Sequence, residues 1–507
     1  MTDAPAITDA TDAHLAPAIA SEPDDSLRES EHLESYSVLW WLVGGTFIVI
    51  LNETIMMNAI PRLMTEFDVT ARAAQWLSTS FMLTMAVIIP ITGWFLNRVT
   101  TRQAFAVAMA TFCTGTAIAA LAPVFSVLLV GRVVQASGTA VMMPLLMTTL
   151  MSVVPEWDRG RIMGRVIMAI SVAPALGPAV SGVILQFTSW RWMFGLVLPL
   201  ALLIAYVGLR RIENVGEPTA GSVNVTSILL SAFGFGTSVY GLSLVGGEPL
   251  RLTLAGTPVA ISASWFIGVG VLFVALFVLL QLRLQRVNRP LLDLRTLTHG
   301  TFTVGLILMV VAFMGFMGSM ILLPIYLQDL RGLTSLQTGL LMMPGGLAMG
   351  LSGPRIGRLF DRFGSRPIVV PGSLAVVGAL ATLSQVGAHT PIPVILAAYV
   401  IFMCGLAALF TPVFTLSLNA VPEHLYSHAS SLLGSTQQVA GAIGTAISVT
   451  VLTWHTKTLV HSGSTATEAA IGGMQWAFGA SAVLSVGIIV LAWLLPKEAP
   501  EGSAAHH

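Results

Sequence analysis

From residue 37 to residue 496 the chain is a near-continuous series of apolar runs, each 18 residues or longer, with short charged or Pro/Gly breaks between them. A helix needs about 20 mostly apolar residues to cross a bilayer's hydrocarbon core. Within lipid, a helix satisfies every backbone donor and acceptor inside one segment. The series therefore dictates an all-α integral membrane fold. Composition agrees: charged residues make up 9% of the chain, against about 25% in a soluble domain. Fourteen runs can be counted, near 37–61, 74–97, 103–123, 126–151, 160–188, 190–211, 223–246, 259–283, 300–327, 335–358, 366–388, 391–421, 425–455 and 471–496. The seventh is the least apolar, being rich in Ser, Thr and Gly.

Residues 1–36 precede the first run and hold nine acidic residues and one basic residue, Arg28. They read as a disordered acidic tail, not a cleavable signal. Cys113 and Cys404 lie within apolar runs and read as small core residues, with no disulfide framework or metal site implied. The Lys and Arg distribution sets an orientation. With the N-terminus inside, the cytoplasmic loops and tails hold Arg28, Arg98, Arg102, Arg159, Arg161, Arg165, Arg210, Arg211, Arg283, Arg286, Arg289, Arg295, Arg355, Arg358, Arg362, Arg366 and Lys497, and the outer side holds Arg62, Arg72, Arg191, Arg251, Arg331 and Lys457. That bias of 17 to 6 obeys the positive-inside rule. Both termini are expected in the cytoplasm.

The chain also repeats. Gly93-Trp94-Phe95-Leu96-Asn97-Arg98 with Arg102 recurs as Gly357-Arg358-Leu359-Phe360-Asp361-Arg362 with Arg366, while Pro61 matches Pro324 and Gln75 matches Gln337, all at offsets of 262–264 residues. The organisation expected is a tail (1–36), a six-helix bundle (37–211), a linker with two inserted helices (212–299), a second six-helix bundle (300–496) and a short cytoplasmic tail (497–507). Two parallel halves of this kind are a transporter architecture with its site near the midplane.

Glu53 stands deep in the first run, where an ionised carboxylate costs roughly 2.5–3.5 kcal/mol. It is the one acid that falls well inside a span, which makes it a proton-carrier candidate. The other reading is a structural acid bonded to a neighbouring helix. Arg132 is the one cation inside a span, so a shared polar cluster with Glu53 and Gln135 is expected, or else a motif residue that locks its own helix. If the two charges pair, protonation of Glu53 releases Arg132, and proton and cargo compete. Asp329, at the outer end of the ninth run, is the next candidate.

Other polar groups in spans, Asn52, Asn58 and Gln135, are candidate substrate contacts, because an unpaired amide in lipid is expensive. Met56, Met57, Met142, Met143, Met342 and Met343 could supply an adaptable apolar wall, although many of the 23 Met must be core or lipid-facing. The scarcity of intramembrane acids favours neutral or singly charged cargo.

These residues resemble the major facilitator superfamily. Gly357–Arg366 is nearly the family's loop motif G-x-L-a-D-R-x-G-R-R; in the first copy Asn97 replaces its Asp and Thr100 its Gly. Gly131-Arg132-Val133-Val134-Gln135-Ala136-Ser137-Gly138 is close to its R-x-x-Q-G helix-4 motif. Ala173–Gly182, with Gly177, Pro178 and Gly182, resembles the antiporter motif. Fourteen runs with that motif look like drug:proton antiporter family 2. Ile50-Leu51-Asn52-Glu53-Thr54 and Ser189-Trp190-Arg191-Trp192-Met193-Phe194 resemble the lincomycin-resistance exporters within it.

The resemblance implies a proton-coupled exporter of amphipathic drugs such as lincosamides, dyes or quaternary ammoniums. It implies a bacterial plasma-membrane location, the proton as coupling ion and no other cofactor. It also implies that Gly177, Pro178 and Gly182 seal one side of the cavity. The loop residues Gly93, Arg98, Arg102, Gly357, Asp361, Arg362 and Arg366 would hold topology, and the second copy would add a charge latch. Small amphiphiles and the bilayer are the expected partners, with no nucleic acid, and the protein is expected to be a monomer. Export of a self-made metabolite or lipid on the same fold is the alternative. An enzyme, receptor or ATP-driven pump is disfavoured, for the chain shows no Walker loop, metal-ligand spacing, nucleophile elbow or soluble domain.

Overall fold

The protein is described here from a computed structural model, which covers residues 37–496 apart from 58, 70, 216–223, 246–249, 255–256 and 288–289. The expected acidic tail, the C-terminal tail and Asn58 lie outside the described residues. Fourteen long helices account for most of the rest. They are α1 (Ser37–Met57), α2 (Ala71–Leu96), α3 (Thr101–Ala120), α4 (Phe125–Val153), α5 (Arg159–Phe187), α6 (Arg191–Arg211), α7 (Val225–Ser243), α8 (Ala263–Gln285), α9 (Gly300–Ile325), α10 (Ser335–Phe363), α11 (Arg366–Leu383), α12 (Ile392–Asn419), α13 (Tyr426–His461) and α14 (Ala466–Leu494). Twelve of them are long and apolar enough to cross a membrane. The other two, α5 and α10, pack on each other along the join between the halves. An antiparallel hairpin, Leu250–Leu254 with Thr257–Ile261, links α7 to α8.

Small residues set the spacing of the helices. Gly138 of α4 lies against the backbone of Ala108 and Phe112 in α3, leaving no room for a Cβ. Gly405 of α12 meets Gly372 and Val376 of α11 in the same way. The residues touched in the two halves correspond at an offset of 264, and the two glycines at 267, so the repeat seen in the loops extends to interior contacts. Close backbone approach of this kind is how helices gain packing energy where lipid offers no hydrophobic drive.

The matched prolines have different outcomes. Pro61 begins a separate two-turn helix, Ile60–Glu66, after α1 ends. Pro324 stays inside α9, which then widens into a π-helical turn over Tyr326–Leu330 that carries the exposed Asp329. The inserted pair packs together, and α7 also lies against α2 and α13, so it spans the join between the halves. Trp76 stacks on Tyr240 at that contact, with ring centroids 5.4 Å apart.

Candidate functional site

α1 lies against α4, α5 and α6. Its register is set by Gly45, which leaves room for the buried Met142 side chain, and by Thr54, whose hydroxyl bonds back to Ile50 and Leu51 and fills the space left by Gly177. Between those two contacts come Asn52 and Glu53. Asn52 is buried, and its Nδ2 has no partner among the described residues. Glu53 is half-buried. No hydrogen bond or ion pair within 4.0 Å holds its carboxylate among the described residues. Arg132 of α4 is the charge that acts on it.

Arg132 is 2% exposed, and its neighbours come from three helices. Nη1 donates to Gln135 Oε1 at 2.6 Å, and Gln135 Nε2 in turn donates to Thr116 Oγ1 of α3 at 2.7 Å. The guanidinium lies 4.1 Å from the ring centroid of Phe81 in α2. Its Nε has no hydrogen-bond partner among the described residues. A buried guanidinium that is stacked and bonded on one edge only keeps donor capacity on the other, as a group must if it is to answer a change of charge at Glu53. Of the expected cluster, Glu53 bonds to neither of the other two among the described residues, while Arg132 and Gln135 are joined, with Phe81 and Thr116 added. Neither of those carries a sequence signal, being an ordinary Phe and Thr in apolar runs.

The remaining expected wall residues are dispersed. Met56 and Met142 sit in the packed core, while Met143 and Met342 are half-buried. Gly177 meets Thr54 within its own half, whereas Gly182 faces Leu336 of α10 across the join. The Pro178 side chain is outside what the structure describes.

At the arginine-rich end the halves meet through two contacts related by the repeat. Gly357 of α10 lies on the backbone of Gly160 and Arg161 in α5, and Gly353 lies on Gly164, so two small-x-x-x-small stretches run face to face. Asp361, on the last turn of α10, accepts from the backbone N–H of Gly160 (3.0 Å) and Arg161 (2.7 Å). The expected latch is thus a carboxylate on the positive end of a helix, with the backbone of α5 as its partner. Arg362 lies over Phe363, Arg98 over Trp94, and Arg366 donates to Leu495 O; the Arg102 N–H donates to Asn214.

In the other copy, Gly93 of α2 lies against Ser427, His428 and Ser431 of α13. Asn97 Nδ2 donates to the buried His428 Nε2 at 3.2 Å, and Thr92 and Ser431 share a hydrogen bond at 2.8 Å. Thr148 with Ser430 (3.0 Å) and Arg159 with Asn419 (2.6 Å) complete the closure. Sequence reading noted Asn97 in place of Asp, but nothing in the chain announced a histidine 331 residues away as its partner.

A clamp stands at the opposite end of the first half. Trp190 Nε1 and Arg191 Nη1 donate to the two oxygens of Glu66, at 2.7 and 2.5 Å, and Arg191 lies over the Trp190 ring. The Trp-Arg pair thereby ties the two-turn helix to the start of α6.

Comparison with known proteins accords with this geometry. Residues 42–445 match the sequence model described as Major Facilitator Superfamily. The chain is 36% identical over 457 residues to the MFS-type transporter YcnB of Bacillus subtilis, covering 90% of this chain and 94% of that one. It is 38% identical over 412 residues to the lincomycin resistance protein LmrB of Listeria monocytogenes, covering 81% and 85%. The crystal structure of the human organic anion transporter MFSD10 shares the fold, with a TM-score of 0.64 at 14% identity over 90% of this chain and 99% of that one.

Proposed function

Because this chain belongs to the Major Facilitator Superfamily, a family of multi-pass membrane transporters of small molecules, we propose that it is a proton-coupled antiporter that exports amphipathic drugs. Glu53 is its proton carrier. The observation that carries this reading is a half-buried acid in α1 with no hydrogen bond or ion pair among the described residues, within electrostatic reach of Arg132, which is stacked on Phe81 and bonded to Gln135. An ion-paired acid would hold its charge against cargo. An acid bordering open space can trade its proton for whatever enters, and Arg132 stabilises the ionised form once the proton has gone. The likeness to a lincomycin resistance protein supports drugs as cargo.

All fourteen helices span the bacterial plasma membrane in this reading, with the arginine-rich end and both termini in the cytoplasm. The halves are then joined on the cytoplasmic side, the arrangement in which cargo leaves and protons enter from outside. Opening toward the cytoplasm requires the Asp361 cap and the Asn97–His428 contact to part.

The test is flux in proteoliposomes with Glu53→Gln beside wild type. Downhill equilibration that survives in the variant while pH-driven accumulation falls to background is the expected result. Undiminished uphill pumping by Glu53→Gln would move the proton site elsewhere, with Asp329 the next candidate.

A further inference from the structure

The charged cluster occupies one half only, and the repeat shows what stands in its place in the other. Through the paired contacts of Gly138 and Gly405, Arg132 corresponds to Tyr399, Gln135 to Phe402 and Thr116 to Leu380. The loop offset carries Phe81 to Gly345. The Tyr399 ring lies directly on Gly345, as Arg132 lies on Phe81, so the correspondence holds at the level of side chains. The proline offset carries Glu53 to Phe316.

Phe316 belongs to an aromatic cluster. Its ring centroid lies 5.7 Å from that of Phe313 and 6.2 Å from that of Phe410, and Phe313 lies 6.2 Å from Phe410. Phe313 and Phe316, with Met320 one turn on, form a stripe along α9. That stripe runs between α12, which supplies Phe410, and α13, where Gly441 leaves room for the edge of Phe313. Although flanked on both sides, all three stripe residues are only half-buried. The space they border is therefore on the interior side of α9, at the place related to that of Glu53 in the first half.

We propose that Phe313 and Phe316, backed by the buried Phe410, form the seat for the aromatic body of the cargo, and that this seat sets cargo selectivity. The two halves then divide the work: α1 and α4 answer charge, while α9 and α12 hold the apolar part. The cargo class follows from the two surfaces. Ring faces that meet edge to face attract other aromatic rings and soft cations, and the one acid inside a span, across the join, stands within electrostatic reach of one arginine, which fits a lipophilic aromatic compound with at most one positive charge. This inference rests on the export reading and adds to it the part of the molecule that chooses the cargo.

The experiment compares two compounds in the full-length protein, tetraphenylphosphonium (aromatic, one positive charge) and lincomycin (non-aromatic). Dissociation constants are measured in detergent at fixed pH, and pH-driven accumulation in proteoliposomes. Phe316→Ala and, as a second variant, Phe410→Leu are each expected to weaken tetraphenylphosphonium about tenfold more than they weaken lincomycin, with Phe316→Tyr recovering most of the loss. The exposed Phe233→Ala on α7 serves as the surface control. Equal weakening of both compounds, or no change in their ratio in either variant, would overturn the seat while leaving the export reading intact. Wild-type protein that accumulates neither compound under a pH gradient would overturn the export reading, and the seat with it.

Discussion

At the scale of single residues, Arg132 shows why charge alone is not the specification. Its place over Phe81 and its bond to Gln135 both use the flat guanidinium. Lysine has the charge without the plane. Arg132→Lys should therefore lower the pH-driven export rate about tenfold or more and lower the thermal unfolding midpoint by several degrees, read by flux and by fluorescence of the solubilised protein. Full activity in the lysine variant would show that a point charge suffices. The two charges themselves were legible in the sequence, since one acid and one base inside apolar spans must find shelter somewhere. Phe81 and Thr116 were not, because an aromatic or a hydroxyl in a span costs too little to betray a role.

At the scale of helices, the two gate contacts invite a comparison of strength. Asp361 accepts two main-chain bonds; burial pushes its carboxyl up to about 7, and while it is ionised the charge-assisted bonds contribute about 1.5–3 kcal/mol each. Asn97 makes one neutral bond to His428, worth about 1 kcal/mol. Asp361→Ala should therefore move the resting population toward an open arginine-rich end far more than Asn97→Ala does. Distances between spin labels placed on α2 and α13, and on α5 and α10, report this directly. Equal shifts would mean that the glycine-lined backbone contacts dominate and the side chains are secondary. The loop motif marked both places in the sequence, but its arginines drew attention away from the true partner of Asp361, the first turn of α5. Backbone groups at a helix start carry no residue signature, which is why that pairing stayed hidden.

At the scale of the whole molecule, the single proton carrier proposed above limits how the membrane potential can act. One proton exchanged for one neutral molecule moves one net charge, and 100 mV then supplies about 2.3 kcal/mol, about a fifty-fold gradient. One proton exchanged for one monovalent cation moves none. Accumulation of a neutral cargo should thus rise steeply with an imposed potassium-diffusion potential, whereas that of tetraphenylphosphonium, corrected for its own passive distribution, should follow the pH gradient alone. Potential-driven exchange of both would require a second proton site. A charged cluster inside the spans of only one half, among the described residues, is thus a property of the entire assembly, seen when the two repeats are laid on each other.

The length of the apolar runs determined, without any structure, that this chain is a helical membrane protein, because runs of that length satisfy their polar groups in lipid as helices, and the recurring loop motif marked the repeat. The cost of charge in lipid singled out Glu53 and Arg132. Only the tertiary structure decided which helices touch. It put Asn97 on His428, Asp361 on the start of α5, and an aromatic cluster at the counterpart of the acid. Those pairings depend on glycine-set approaches between helices hundreds of residues apart, and a contact between distant segments has no period or motif from which to read it.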